Sequence, residues 1–543
     1  MKTIAAFPAI LMLLHLPVAM GFQVAEKLNQ PTGASVVQAA EEPQEVTEQQ
    51  IARGRVFIDN DGDKRFSPGD SAFQGIRVSN GIEIVKTNET GEYELPISND
   101  GAIFVIKPSG FRTDINELNL PRFFYLHKPN GSPKLRFPGV EPTGPLPQSI
   151  DFPLYRQSEP DQFRVILFGD PQPRNDKEVD YIAHDVVSEM IGYRAAFGVT
   201  LGDIVFDDLD VFSSLNQTVS LIGIPWYNVI GNHDVNYDGG ERQFINETYE
   251  RIYGPSYYSF DYGQVHFVVM DNIDWEQKGD GKMGYAANFG EQQREFLKRD
   301  LELCPENQMV VLMMHVPLYS TKDTQDLFRL IEKRPFCISI SGHTHTHEHV
   351  YFGQEQGWQG DKPHHHIVNV TVSGSWWSGQ KDERGIPHTT MADGGPNGCS
   401  VITFDGQDYT LDYLAAGVER GNQMRVEYPV MLGESEVNET PLFVNFYNGS
   451  DKSKVAYRID GAGEWITMDK VNEIDPFFQR MYDWDQASGD PNEPRLTKPK
   501  PSTHLWKSTV TESIPPGVHL IEVKATDDFG RTFTSQRSVR VTK

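Results

Sequence analysis

The middle of the sequence contains short apolar runs that each end in polar residues of the types that bind metal ions. These runs and their polar ends occupy segments 165–172, 199–203, 228–234, 311–315 and 338–345. Stretches with helical periodicity, including 178–196 and 291–303, lie between them. Alternation of β-rich runs with helical stretches predicts an α/β domain. Because ligands bind at the carboxyl ends of strands in such sheets, we expect the polar groups to meet at one rim.

The polar residues at these strand ends are carboxylates, carboxamides and imidazoles: Asp170, Gln172, Asp203, Asn232, His233, Asp234, His315, His343 and His345. Oxygen and imidazole donors in this mixture suit zinc, manganese, iron or a similar divalent ion. The ordered set resembles the pattern of the calcineurin-like metallophosphoesterases, which runs D-x-H/Q, G-D, G-N-H-D/E, H and G-H-x-H. This resemblance covers residues 170–345 directly. It implies a central two-sheet sandwich flanked by helices.

The resemblance also implies a dinuclear centre, with two metal ions about 3.5 Å apart. Asp170, Gln172, Asp203 and His345 would hold the first ion, and Asp203, Asn232, His315 and His343 the second, so that Asp203 bridges them. Two carboxylates against two dications leave a net positive charge for a hydroxide and a phosphoryl oxygen. The ions expected are Mn, Zn or Fe, and the sequence does not choose among them.

Two positions depart from other members of the family. Gln172 stands where many members carry histidine, and a neutral amide oxygen is a weaker donor, so we expect the first ion to bind less tightly. Phe206 follows Asp203 by three residues, where purple acid phosphatases have a metal-binding tyrosine. Because phenylalanine cannot ligate a metal, the sequence disfavours a ferric–phenolate centre.

His233 is the predicted catalytic residue, because it directly follows the expected ligand Asn232. In the family this histidine is thought to protonate the departing alkoxide or to help position the phosphate. An imidazole suits either task, since its pKa lies near neutrality. Asp234 is expected to orient the loop rather than to react.

The resemblance therefore predicts an exported phosphoesterase that hydrolyses a phosphate mono- or diester by attack of a metal-activated water. The expected substrate is a small-molecule or lipid-like phosphoester, and the ligand set does not decide between monoesters and diesters. The alternative is a non-catalytic surface or glycan-binding protein that has kept an inactive phosphoesterase core. Every expected ligand position carries a competent donor, which favours the enzyme.

The N-terminus predicts export to a secreted or periplasmic location. Lys2 precedes the apolar stretch 4–16, and small residues follow it, so residues 1–21 are typical of a cleaved signal peptide. No later segment has ~18 uninterrupted apolar residues, so no transmembrane segment is expected in the mature chain. We predict a linker at 22–50, a β-sandwich at 51–156, the catalytic domain at 157–405 and a second β-sandwich at 406–543. The predicted fold is therefore α/β at the centre, with all-β sandwich domains on both sides.

The composition of the chain limits the kinds of partner and the kinds of cross-link that we expect. The chain has 49 Lys+Arg against 76 Asp+Glu, a net charge of −27, which argues against binding nucleic acid through a basic surface. Its three cysteines are too few for a disulfide scaffold. Cys304 and Cys337 each precede a strand-like run. They are either a disulfide at one sheet edge or two buried thiols.

Several other groups of residues have a functional and a structural interpretation. Asp59, Asp61, Asp63 and Asp70 have the spacing of a calcium loop, but Lys64 replaces the usual glycine, and a solvated acidic turn is the alternative. Candidate substrate-binding residues are Arg174, Trp376, Trp377 and Asn397. The two tryptophans would wall a cleft for the leaving group, or else pack at the domain boundary. His347, His349 and the run 364–366 are expected to be exposed or edge-strand histidines without a role.

Overall fold

The structure is a computed structural model that describes residues 50–279, 282–511 and 514–543. The predicted signal peptide and residues 22–49 of the predicted linker lie outside the described residues. The described residues belong to one compact unit. Among the helices described, none combines the length and the apolar character needed to cross a membrane.

The N-terminal part folds into two main β-sheets that pack against each other. Its strands are β1 (Gln50–Ile58), β2 (Ser71–Ala72), β3 (Arg77–Ser79), β4 (Ile84–Lys86), β5 (Glu92–Ile97), β6 (Gly101–Val105), β7 (Phe111–Arg112), β8 (Asp114–Ile115), β9 (Pro121–Arg122), β10 (Phe124–His127) and β11 (Phe152–Arg156). In one sheet β1 pairs with β2, β5 and β11, and in the other β6 lies between β10 and β3. Val56 and Leu154 of the first sheet share a hydrophobic cluster with Val78 and Ile103 of the second.

The central part contains the two sheets that carry the predicted site. Its strands are β12 (Gln162–Phe168), β13 (Phe197–Leu201), β14 (Trp226–Val229), β15 (Tyr258–Tyr262), β16 (Val265–Val269), β17 (Ile273–Gln277), β18 (Met283–Ala287), β19 (Met309–Met313), β20 (Cys337–Ser341), β21 (Glu348–Phe352), β22 (His364–Val368), β23 (Gly398–Asp405) and β24 (Asp408–Ala415). One sheet has the order β14-β13-β12-β23-β24 and the other β15-β16-β19-β20-β22-β21. Strands β12, β13 and β14 run parallel, as do β16, β19, β20 and β22.

Helices connect and cover these strands. They are α1 (Asp176–Ile182), α2 (Ser188–Met190), α3 (Phe212–Ser220), α4 (Glu247–Tyr253), α5 (Gly290–Glu302) and α6 (Thr324–Ile331). A π-helical turn over Ala183–Val187 joins α1 to α2.

Strand β12 shows how the layers are built. Val165 and Leu167 belong to the hydrophobic cluster that contains residues of the second sheet, including Val311. Ile166 and Phe168 belong to a different cluster, with residues of the helices. Because successive side chains of a strand point to opposite faces, one face of this sheet packs on the second sheet and the other on helices. The predicted two-sheet sandwich flanked by helices is confirmed.

The C-terminal part is a further pair of sheets with one helix, α7 (Pro476–Ser488). Its strands are β25 (Met424–Glu427), β26 (Met431–Gly433), β27 (Pro441–Phe446), β28 (Lys454–Ile459), β29 (Ala462–Thr467), β30 (Asp469–Val471), β31 (Leu505–Thr509), β32 (Gly517–Thr526) and β33 (Thr532–Thr542). Val444 and Trp506 of one sheet share a core with Tyr457 and Val523 of the other.

The predicted boundary after residue 405 falls inside a hairpin. Strand β24 pairs with β23 from Gly398–Ala415 to Asp405–Asp408 and extends the first catalytic sheet. The catalytic sheet therefore continues ten residues beyond the predicted boundary, to Ala415. The other predicted boundaries stay predictions.

A buried charge cluster joins the N-terminal sheets to the catalytic part. Arg77 of β3 pairs with Asp261 of β15 at 2.6 Å and with Asp300 of α5 at 2.9 Å. His266 bridges the same two carboxylates, at 2.7 Å and 2.9 Å. The side chain of Asp300 has no exposed surface, so its charge depends on these partners.

Replacing Arg77 by alanine should lower the midpoint of thermal unfolding by several degrees. Removing one partner of a buried pair leaves an uncompensated charge, which typically costs about 3–5 kcal/mol. The matched control is Arg53→Ala, because Arg53 and Glu94 form a pair whose side chains are 58% and 64% exposed. Such exposed pairs contribute about 0–1 kcal/mol. Equal midpoints for the two variants in calorimetry would contradict the role given to Arg77.

Candidate metal centre

The predicted ligands lie at the carboxyl ends of strands from both catalytic sheets. In chain order, Asp170 and Gln172 follow β12, Asp203 follows β13, Asn232 follows β14, His315 follows β19, and His343 and His345 follow β20. Contacts among their side chains bring them together at one rim, as the strand pattern predicts.

Asp203 lies at the middle of this group. Its Oδ1 is 3.2 Å from His315 Nε2, and its Oδ2 accepts a hydrogen bond of 3.0 Å from Gln172 Nε2. Ligand atoms of Asp203, His315 and His343 all lie within 4.8 Å of one another. A carboxylate with neighbours on both sides is in the position that the predicted bridging role requires.

Asp170 is held from the opposite side, by the loop after β20. The backbone N–H of His343 donates to both of its carboxylate oxygens, at 3.0 Å and 2.9 Å. His345 Nε2 lies 3.7 Å from Asp170 Oδ1. A β-carbon at Gly342 would lie 2.4 Å from Asp170 Oδ2, so only glycine lets this loop approach the carboxylate.

The three histidines are oriented by their outward nitrogens. His315 Nδ1 donates to the carbonyl of Leu201 at 2.9 Å, and His345 Nδ1 donates to the carbonyl of Gly374 at 2.6 Å. His343 Nε2 forms a hydrogen bond of 3.2 Å with the hydroxyl of Tyr285. Each ring therefore directs its other nitrogen towards the group of candidate ligands, the arrangement common for metal-ligating histidines.

Two observations test whether the residues fit a metal ion. Gln172 Oε1 is buried and has no hydrogen-bond partner within the described ranges. The inward nitrogens of His315 and His343 lie 3.2 Å apart, while the outward nitrogen of each ring has another hydrogen-bond partner. Buried polar atoms normally have partners. Two divalent ions would satisfy these atoms, one at the amide oxygen of Gln172 and the other between the two imidazoles, so the residues fit.

The backbone of the candidate ligands is unusual. A left-handed φ occurs at five of them: Asp170 (40°), Gln172 (46°), Asp203 (46°), His343 (78°) and His345 (53°). Outside glycine, such conformations cost about 1–3 kcal/mol each and cluster at functional sites. The surrounding fold therefore holds these five side chains at the rim against a local conformational cost.

The charges at the centre favour a cation. Burial raises the pKa of Asp170 to about 7, whereas the imidazoles of His315 and His233 outweigh burial and lower the pKa of Asp203. Burial lowers the pKa of His345 to about 3 and, with the charge of His315, that of His343 to about 4, so both rings are neutral donors. Against burial, Asp203 and Asp170 raise the pKa of His315 to about 9. The negative charge that holds a proton there would equally attract a divalent ion.

His233 lies beside the ligands rather than among them. Its Nδ1 lies 2.7 Å from Asp207 Oδ1, and its ring stacks on Phe206 with centroids 4.5 Å apart. Burial lowers the pKa of His233, but the carboxylates of Asp203 and Asp207 outweigh it and raise the pKa above the usual value. The sequence analysis missed Asp207, although an acid four residues after Asp203 was the available signal.

Asp234 orients the loop, as expected. It accepts backbone hydrogen bonds from Ile204, Val205 and Gly231, at 3.1 Å, 3.0 Å and 2.8 Å. Its carboxylate therefore ties the loop after β14 to the loop after β13, which places His233 next to Asp203.

The predicted substrate residues divide into two pairs. Trp376 stacks on His345 with centroids 3.9 Å apart, and its carbonyl accepts from Arg174 at 2.9 Å, so these two lie at the site. Trp377 is 1% exposed, and its indole donates to the carbonyl of Pro171. Asn397 is 5% exposed, and its amide donates to Asp185. The latter two side chains belong to the packing and not to an accessible cleft.

The acidic loop of the N-terminal part keeps both interpretations. Carboxylate oxygens of Asp59, Asp61, Asp63 and Asp70 lie within 4.8 Å of one another. They also accept backbone hydrogen bonds from the loop itself, as Asp59 does from Gly62 at 2.7 Å. Calcium binding stays a prediction.

The remaining histidines differ from expectation, whereas the cysteines follow one of the two alternatives, unpaired thiols. His347, His349 and the three histidines of β22 are all buried, not exposed, although β21 is an edge strand as predicted. His347 and His349 donate from Nε2 to Asn448 Oδ1 at 3.0 Å each, so they join the catalytic sheet to the C-terminal sandwich. Cys304 and Cys337 are free thiols, the first buried and the second half-buried.

Three family models match successive segments of the chain. They are the N terminal of Calcineurin-like phosphoesterase at residues 61–138, Calcineurin-like phosphoesterase at 163–347, and the C terminal of Calcineurin-like phosphoesterase at 366–533. The chain belongs to the calcineurin-like phosphoesterases. Membership of this family of phosphoester hydrolases implies divalent metal ions at the centre described above.

Comparison with individual proteins does not extend the family assignment. No curated protein sequence matches the chain. Among solved structures, the chain is similar to purple acid phosphatase PPD1 isolated from yellow lupin (Lupinus luteus) seeds, with 12% identity and a TM-score of 0.35. The similarity covers 62% of this calcineurin-like phosphoesterase and 66% of that structure, so the chain spans slightly less than two thirds of the neighbour's length.

Replacing Asp203 by asparagine should reduce the metal content from two ions per chain to fewer than one. The variant keeps the side-chain shape but removes the charge that both predicted sites share. His345→Ala should lose one ion only. The matched control is Asp210→Ala, an exposed carboxylate that follows the same strand. Elemental analysis after dialysis measures the content, and retention of both ions by the Asp203 variant would contradict the bridging role.

Proposed function

We propose that this chain hydrolyses a phosphate mono- or diester with water as the nucleophile, at a centre that holds two divalent ions. The observation that supports the proposal is the convergence of seven candidate ligands from five strand ends. His315 Nε2 lies 3.2 Å from both Asp203 Oδ1 and His343 Nδ1, and the buried Gln172 Oε1 has no partner among the described residues. Asp170, Gln172, Asp203 and His345 would hold one ion. Asp203, Asn232, His315 and His343 would hold the other. The identity of the ions, Mn, Zn or Fe, stays open.

When bound, divalent ions supply Lewis-acid chemistry, in that they polarise a phosphoryl oxygen and acidify a bound water. The protein contributes a rigid donor set, because hydrogen bonds fix each imidazole and each carboxylate. Cys337 and Cys399 do not supply a covalent nucleophile. Burial raises the pKa of Cys337 and of Cys399 to about 12, so neither is a thiolate at neutral pH.

His233 is the general acid in this proposal. Its Nδ1–H donates to Asp207, which leaves Nε2 as the nitrogen that holds or releases a proton towards a leaving oxygen. Because its pKa is raised, a larger fraction of the imidazole is protonated at neutral pH than in an unperturbed histidine. Phe206 stacks on the imidazole of His233, and the guanidinium carbon of Arg174 lies 5.1 Å from the centre of the Phe206 ring. These contacts hold the imidazole in one orientation.

His233→Ala should lower kcat by about a hundredfold or more, the usual contribution of a general acid. Metal content should be unchanged, because His233 is not a ligand. Asp207→Asn should give a smaller loss, since it removes the orienting carboxylate but keeps the imidazole. The matched control is His184→Ala, an exposed histidine after helix α1. Steady-state kinetics with a chromogenic phosphate ester gives kcat for each variant. An unchanged kcat for His233→Ala would remove His233 from the mechanism.

The alternative is a protein that binds metal ions without catalysis. A panel of phosphate monoesters and diesters, tested with protein loaded with Mn, Zn or Fe, separates the two. Turnover of any ester supports the enzyme. Binding of two ions without turnover across the panel would favour a surface or glycan-binding protein.

Export is part of the proposal. Lys2 and the apolar stretch that follows support removal of residues 1–21 during secretion. The test is expression of the full chain in a bacterium with a periplasm, followed by fractionation and intact mass measurement. A periplasmic or secreted chain that begins near Phe22 supports export, and a full-length cytoplasmic chain contradicts it.

A further inference from the structure

The C-terminal part of the chain places a positive charge at the metal centre. Lys500 Nζ donates to the carbonyl of Thr344 at 3.1 Å. Thr344 lies between His343 and His345, two of the predicted ligands. An ammonium group from the segment between α7 and β31 therefore lies at the rim where the ions and the substrate would meet.

The backbone that carries Lys500 is fixed against the catalytic part. Lys500 N–H donates to the carbonyl of Ala392 at 2.9 Å, and Gly379 N–H donates to the carbonyl of Pro494 at 3.2 Å. Leu496 is 4% exposed and packs in a cluster with Ala392. Lys500 itself is exposed, so its side chain extends from a backbone that these contacts hold in place.

Lys500 retains unused capacity to bind an anion. Within the described ranges it forms no ion pair with a carboxylate. Lys381 and Arg174 are in contrast paired with Glu493 and Glu178. An ammonium has three donors. The bond to Thr344 uses one, so two remain for an anionic ligand.

We propose that Lys500 binds the phosphoryl group of the substrate and that it favours dianionic phosphate monoesters over diesters. The proposal rests on the phosphoesterase function above. Charge-assisted hydrogen bonds to phosphate are among the strong ones in proteins. Because Coulomb attraction scales with charge, a dianionic monoester gains more from a nearby ammonium than a monoanionic diester does. The C-terminal part would then complete the substrate site.

The test compares Lys500→Gln with Lys498→Gln, an exposed lysine two residues earlier in the same segment. Both variants lose one positive charge, so the control removes the effect of net charge. For a chromogenic monoester, Lys500→Gln should raise KM about tenfold or more, the usual effect of losing one hydrogen bond to a charged group. We expect kcat, metal content and the unfolding midpoint to stay close to wild type. The effect on a chromogenic diester should be smaller, and Lys500→Arg should restore most of the monoester KM.

Three outcomes would overturn the proposal: equal kinetics for the two glutamine variants, equal losses on monoester and diester, or a loss of metal by Lys500→Gln. Failure of the phosphoesterase function itself is distinguishable, because the wild type would then hydrolyse neither ester. In that case calorimetric titration of the metal-loaded protein with inorganic phosphate decides the role of Lys500. Weaker phosphate binding by Lys500→Gln than by Lys498→Gln supports the role, and equal binding overturns it.

Discussion

The burial of two neighbouring carboxylates is the constraint on which the centre depends. Asp170 is fully buried and Asp203 is 2% exposed, and burial of an uncompensated charge is costly. Backbone N–H groups of His343 and His233 supply part of the compensation. The N–H group of His233 comes from a strand end of the first sheet, whereas that of His343 and the three imidazoles come from strand ends of the second. Compensation of the two charges therefore requires both sheets to meet at this rim. Divalent ions would complete the compensation, so binding of the metal and stability of this rim are coupled.

The C-terminal part contacts the loop that orients His345, one of the candidate ligands. The loop that carries Gly374 and Trp376 sets the orientation of His345, through a hydrogen bond to its Nδ1 and a stacking contact. Ser375 in turn lies 3.2 Å from the hydroxyl of Thr497, in the segment between α7 and β31. A perturbation of the C-terminal part can therefore reach a metal ligand through one loop. This linkage gives a physical reason for the C-terminal sheets to accompany the catalytic part.

Strand ends were predictable from sequence, whereas contacts between distant segments were not. All seven candidate ligands could be selected from the sequence, because each follows an apolar run and an apolar run with a polar end is a local pattern. Lys500 lies 156 residues from Thr344, and nothing local to either residue signals the contact. Trp376 and Trp377 are adjacent in the sequence, yet only the first lies at the site. Both have a left-handed backbone, so the direction of each side chain depends on tertiary packing.

Gln172 shows how a weak ligand can be retained at this position. Its Nε2 donates to Asp203, the carboxylate predicted to bridge the ions, while its Oε1 has no partner among the described residues. The amide of glutamine carries its acceptor oxygen and its donor nitrogen on the same carbon. A neutral histidine also has one donor and one acceptor, but they are two nitrogens at separate positions of a rigid ring, so it cannot make the same pair of contacts. In the proposed centre the amide would be a weaker ligand than histidine, but it would also orient the carboxylate that both ions share. A weaker bond to one ion is consistent with a better oriented bridge to both.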